Sequence, residues 1–200
     1  MLRKFLIVVL STIPLMSLAK ELRSLTVIMK NQQFHSFGYY VSENYAITEG
    51  DIILATIKDI KNSSAVAISY PERRWPEGRI PFEIDHKLSI KNKSTIYYAI
   101  MHYIKHTPIR FVERTKKNQD KYPDYVVFTS GQGCSSYVGR IGGAQPITLN
   151  AACSYRATIH EIGHALGLWH EQNRVDRDNY VIINYENIIP EYKYNFNQHP

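Results

Sequence analysis

The chain has 200 residues, 44% hydrophobic and 12% aromatic, with only 10 Gly and 9 Pro. That composition supports one domain with a real core and excludes a disordered, collagenous or low-complexity polymer. Basic residues number 24 against 18 acidic, a net charge of +6, but they are scattered. After Arg3-Lys4 the only doublets are Arg73-Arg74 and Lys116-Lys117. No charged stripe or aromatic stacking platform of the kind nucleic acids require is present, so no nucleic-acid partner is expected.

In chain order, residues 1–19 read as an export signal. Arg3 and Lys4 form a positive start, Phe5 to Met16 is mostly apolar, and Ser17-Leu18-Ala19 offers small residues at a cleavage site. The apolar run is shorter than the roughly 20 residues of a spanning helix, so no stable membrane insertion is expected once the signal is removed. Export changes the reading of Cys134 and Cys153. In an oxidising compartment the pair is expected as a disulfide; the alternative, a cysteine nucleophile, lacks an activating base in the sequence.

Residues 20–63 carry balanced charge and short apolar runs such as Ile52-Ile53-Leu54, ending in Lys61-Asn62-Ser63-Ser64. Ser94 to His106 repeats apolar residues at helical spacing, through Ile96, Ala99, Ile100, Tyr103 and Ile104. This predicts a helix with Ser94 as N-cap and Pro108 beyond its end. Strands are predicted over 109–112, 125–128 and 146–149, with Gly131, Gly133, Gly142 and Gly143 marking turns.

The chemistry is concentrated in His160-Glu161-Ile162-Gly163-His164-Ala165-Leu166-Gly167-Leu168-Trp169-His170-Glu171. On a helix expected over 156–168, His160 and His164 share a face and can present two imidazoles to one metal ion. Glu161 is placed to serve as general base toward a water at that ion. Gly167 can end the helix in a left-handed conformation, returning the chain so that His170 supplies a third nitrogen. Three neutral nitrogens with one open position is the pattern of catalytic zinc, one ion per chain. The spacing His-Glu-x-x-His-x-x-Gly-x-x-His arises by chance about 3 times in 100,000 chains of this composition.

That spacing is the metzincin motif, and Glu171 with the continuation Gln172-Asn173-Arg174-Val175-Asp176-Arg177-Asp178 resembles the astacin family of zinc endopeptidases. Tyr180-Val181-x-Ile183, Glu186-Asn187-Ile188, Trp75-x-x-Gly78-x-Ile80-Pro81-Phe82, residues 109–112 and Cys134 to Arg140 extend the resemblance over roughly 70–200. It implies an α+β zincin fold: a twisted, five-stranded, mostly parallel sheet with an antiparallel edge strand and two long helices. It further implies His160, His164 and His170 as zinc ligands, Glu161 as general base, and Cys134–Cys153 as one family disulfide. Pro108 stands where the other disulfide would begin. Glu171 would anchor the new N-terminal amine after activation, or orient His170.

The same resemblance divides the chain into a signal (1–19), a propeptide (20–64) and a peptidase domain (65–200), with activation cleavage near 62–66. Family propeptides carry Phe-x-Gly-Asp, whose aspartate occupies the open zinc position. Thr48-Glu49-Gly50-Asp51 fits with Thr48 in place of the aromatic, making Asp51 the candidate; the alternative is an ordinary turn. The family's methionine turn and its following tyrosine do not occur in 171–200, so the lower C-terminal lobe is expected to be largely missing. The expected function is a secreted (or periplasmic) zinc endopeptidase made as a latent zymogen and acting on protein or peptide substrates. The alternative is a truncated zinc-binding protein acting as an interaction module. Substrate is expected along residues 145–150, read as an exposed edge strand.

Overall fold

The computed structural model describes residues 21–28, 34–62, 66–67 and 73–198. The predicted signal and most of the predicted cleavage region lie outside them. Two bodies of structure share one ten-stranded sheet.

The C-terminal body holds strands β6 (Arg79–Ile84), β7 (Arg110–Glu113), β8 (Tyr125–Thr129), β9 (Cys134–Tyr137) and β10 (Ala144–Leu149). β7, β6, β8 and β10 pair in parallel, and β9 closes the row antiparallel to β10. This is the expected five-stranded, mostly parallel α+β sheet. Ile80 and Phe82, Val126 and Phe128, and Ile147 and Leu149 alternate along their strands and so share one apolar face, which helices must cover. Helices α2 (Ile90–His106) and α3 (Tyr155–Leu166) do so. Ile96, Ala99 and Ile100 of α2, with Ile162 and Ala165 of α3, pack on Ile80, Phe82, Val126, Phe128, Ile147 and Leu149. The two helices approach closely at Gly163, where an added Cβ would lie 3.3 Å from the Tyr103 hydroxyl. Cys134 and Cys153 form the expected disulfide, fastening β9 to the entry of α3.

Two expectations require correction. Helix α2 begins four residues before Ser94: the cap is Ser89, whose Oγ accepts from the Asn92 N–H at 3.1 Å. The early turn escaped detection because Lys91, Asn92 and Lys93 interrupt the apolar spacing. Asn92 is nonetheless buried, its amide donating to the carbonyls of Leu149 and Asn150. Second, residues 145–150 are not an edge. β10 lies between β8 and β9, so the edges of the C-terminal sheet are β9 on this side and β7 on the other.

The N-terminal body comprises β1 (Arg23–Ile28), β2 (Phe34–Ser42), β3 (Tyr45–Thr48), β4 (Ile52–Thr56), the short helix α1 (Ile57–Asn62) and β5 (Val66–Ala67). β1 to β4 form an antiparallel meander with its own small core of Phe37, Tyr39, Ala46 and Leu54. β4 then pairs in parallel with β9, placing Ile52 opposite Ser136 and Ile53 opposite Tyr137. The β9 edge of the C-terminal sheet is thereby covered by the chain's own N-terminal segment.

Candidate metal centre

α3 starts at Ser154, whose Oγ accepts from the Ala157 N–H at 3.2 Å. It ends at Gly167, which takes φ 110°, a left-handed conformation natural to glycine. The amides of Gly167 and Leu168 return to the carbonyls of His164 and Gly163, and this reversal brings residues 168–170 back beside the helix. The Trp75 indole N–H caps the Ala165 carbonyl at 2.7 Å, fixing the helix end against the start of the C-terminal body.

The three histidines meet as their spacing predicted. His160 Nε2 lies 2.9 Å from His164 Nε2 and 3.1 Å from His170 Nε2. His164 Nδ1 donates to the Leu168 carbonyl at 2.7 Å, and His170 Nδ1 donates to the Glu49 carboxylate at 2.8 Å. Carbonyl and carboxylate oxygens only accept, so both rings carry hydrogen on Nδ1 and, when neutral, present bare Nε2 lone pairs inward. Converging lone pairs can hold a cation. Zinc at about 2.0–2.1 Å from each nitrogen would space a tetrahedral set about 3.3 Å apart, close to these separations.

Asp51 completes the group. Its Oδ2 lies 3.2 Å from His160 Nε2, and its Oδ1 lies 3.2 Å from His170 Nε2 and 3.6 Å from His164 Nε2. The four ligating atoms fall within 4.8 Å of one another. Asp51 Oδ1 is buried without a hydrogen bond, as expected of a metal-facing oxygen. The donor set of three nitrogens and one carboxylate oxygen therefore fits zinc. The aspartate is held by its main chain: its carbonyl accepts from the Ser136 N–H at 3.0 Å as β4 joins β9. Burial would raise the Asp51 carboxyl, but its contacts with the three histidines outweigh it and hold the group well below the usual carboxylate range.

Glu161 is 1% exposed, and its Oε2 is buried without a hydrogen-bond partner. Burial and the Asp51 charge push its pKa up to about 9, with His170 pulling the other way. Glu171 is exposed, ion-paired with Arg174 at 2.9 Å, and does not orient His170 in this form. That task falls to Glu49, which no local sequence signal singles out although it sits inside the Thr48–Asp51 motif. Burial would lower the His170 pKa, yet its contacts with Asp51 and Glu49 raise it to about 9. Thr48, in the position of the family aromatic, donates to the Gly38 carbonyl at 2.7 Å. An aromatic contact comes instead from Phe37, stacked on Trp169 with centroids 5.6 Å apart, immediately before His170.

Comparison with known proteins gives the family. A family model described as Astacin, a peptidase family, matches residues 67–200. Bone morphogenetic protein 1 of Xenopus laevis is 44% identical over 131 residues, 64% of this chain and 18% of that protein. High choriolytic enzyme 2 of Oryzias latipes is 39% identical over 160 residues, 76% of this chain and 54% of the relative. Among solved structures, High choriolytic enzyme 1, a hatching enzyme zinc-protease from Oryzias latipes, superposes with a TM-score of 0.56. It shares 41% identity over 64% of this chain and 63% of that one. The chain thus spans well under two thirds of the length of the two curated relatives.

Proposed function

Because the chain belongs to the astacin family of zinc peptidases, as its match over residues 67–200 establishes, we propose that it is an exported zinc endopeptidase held latent by its own N-terminal segment. The observation carrying this reading is the meeting of Asp51, from that segment, with His160, His164 and His170. The histidines would hold the ion and Asp51 would fill the position an attacking water needs. Zinc, when bound, polarises a scissile carbonyl and lowers the pKa of water from 15.7 to about 7.

The residues of the chain supply the rest. Glu161 lies one residue from a ligand, and departure of the segment would remove the Asp51 charge that adds to burial in raising its carboxyl, leaving it to take the proton of the attacking water and deliver it to the leaving amine. β9 offers its edge to an extended substrate peptide by strand addition. β4 uses the same positions, at Ser136 and Tyr137, so segment and substrate compete for one edge as well as for the ion. Export is supported by the basic and apolar pattern of residues 1–19 and by the disulfide. Among the described residues no helix is long and apolar enough to cross a membrane.

The test compares the intact chain with chain trimmed by limited proteolysis between the two bodies. One zinc per chain is expected in both. Casein hydrolysis is expected only after trimming, and is abolished by chelator and by Glu161→Gln with zinc retained. Hydrolysis unaffected by Glu161→Gln, or equal before and after trimming, would overturn the reading.

A further inference from the structure

We infer that Glu49 is a positioning residue for His170 in the latent chain, so that the N-terminal segment grips the metal centre twice: Asp51 on the metal-facing nitrogen and Glu49 on the far nitrogen of the same imidazole. This rests on the zinc reading proposed above and extends it from blocking the ion to retaining it.

The geometry is specific. The Glu49 side chain is fully buried, 0% exposed, and its Oε2 lies 2.8 Å from His170 Nδ1. Asp51 Oδ1 lies 3.2 Å from Nε2 of that ring. Two residues of one turn therefore bracket one imidazole. The turn is shaped for this, since Glu49 has φ 53° and Gly50 has φ 100°. A left-handed conformation is costly for a non-glycine residue, and a buried carboxylate is costly without a donor. Both penalties are met at one position, and the hydrogen bond to His170 compensates them.

The histidines differ in what orients them. His164 Nδ1 bonds the Leu168 carbonyl, a contact made within the α3 turn itself. His170 takes its partner from a residue 121 positions earlier in the chain. Departure of the N-terminal segment therefore leaves His164 supported and strips His170 of its carboxylate. Carboxylates behind ligating histidines fix the ring and raise its basicity, and their loss typically costs 10–100-fold in metal affinity. The segment accordingly acts as a metal-retention device during latency, and its release loosens the third ligand.

The experiment uses the intact chain loaded with one Zn2+, following transfer of the ion to a chromogenic chelator. A Co2+-loaded sample reports the ligand field by visible absorption. Limited proteolysis reports whether the segment stays docked. For Glu49→Ala, zinc release 10–100-fold faster is expected, with an altered cobalt spectrum and undiminished protection of the segment. The isosteric Glu49→Gln should show a smaller change in the same direction, and Glu49→Asp should recover part of the loss. Should Glu49→Ala fail to fold, Glu49→Gln carries the test. Unchanged release and spectrum with the segment docked would overturn the inference. Loss of protection in the variants would also overturn it, because Glu49 would then act only by docking. Failure of the wild-type chain to hold stoichiometric zinc would instead refute the underlying functional reading.

Discussion

Replacing Phe37 with alanine should release the N-terminal segment while leaving the C-terminal body intact. Phe37 is 1% exposed, sits at the centre of the small core with Tyr39, Ala46 and Leu54, and stacks on Trp169. Truncating a buried phenylalanine costs about 3–5 kcal/mol, combining lost transfer energy with the cavity left behind. At 298 K that is a factor of roughly 100 to 4000 in an equilibrium constant. The structure assigns this loss to one body, because Phe37 belongs to a cluster separate from that of Ile80, Phe128 and Ile162. Hydrogen exchange is the suitable assay, since it resolves local from global opening. Amides of β2, β3 and β4 should lose two to three powers of ten of protection, while those of β6, β8 and α3 keep theirs. Trp169 fluorescence should shift with the former; Trp75, the other tryptophan, should keep its bond to Ala165. A uniform loss across both bodies, or none, would refute the two-core argument.

Three further outcomes are expected. Asp51→Asn keeps the side-chain shape and removes the charge; the intact chain should bind zinc more weakly and cleave casein before trimming, and preserved latency with unchanged affinity would count against Asp51 as the blocking ligand. Replacing both Cys134 and Cys153 with serine opens a loop of 19 residues of separation, so calorimetry should record a loss of about 3 kcal/mol. Gly167→Ala forces a Cβ into φ 110° at a cost of about 1–2 kcal/mol. Because the same turn delivers His170, zinc affinity should fall in that variant along with the melting temperature.

Much of the metal centre was legible because its information is local. His160, Glu161, His164, Gly167 and His170 lie within 11 residues, and helical periodicity with one left-handed glycine suffices to converge them. β7, β8 and β10 were likewise readable as apolar runs between turn residues. What escaped was set by distant partners. The start of α2 looked solvent-facing because Asn92 is satisfied only by carbonyls near residue 150. β9 reads Cys134-Ser135-Ser136-Tyr137, with no apolar alternation to announce a strand, although Ser135 and Ser136 are buried. Its identity as the edge, and the misplacement of that edge onto 145–150, follow from pairing order, which local pattern does not encode. Glu49 looked like one more acidic residue in a turn because its histidine lies 121 residues away.

The placement of the N-terminal segment on the histidine cluster rests on strand register. β4 is buried on both faces: Leu54 joins Phe37 and Ala46 on one side, while Ile53 joins Ile47 and Tyr137 on the other. Successive strand residues point to opposite faces, so a slip of one residue would exchange these sets and put Leu54 where Ile53 belongs. The same slip would move the Asp51 carbonyl away from the Ser136 N–H and carry both Glu49 and Asp51 off the histidine cluster. The hydrophobic pattern of 52–54 thus fixes the register, the register fixes the turn at 49–51, and the turn aims two carboxylates at one imidazole. The meeting of this turn with the histidines is therefore specified as much by the apolar residues that seat β4 on β9 as by the acidic residues themselves.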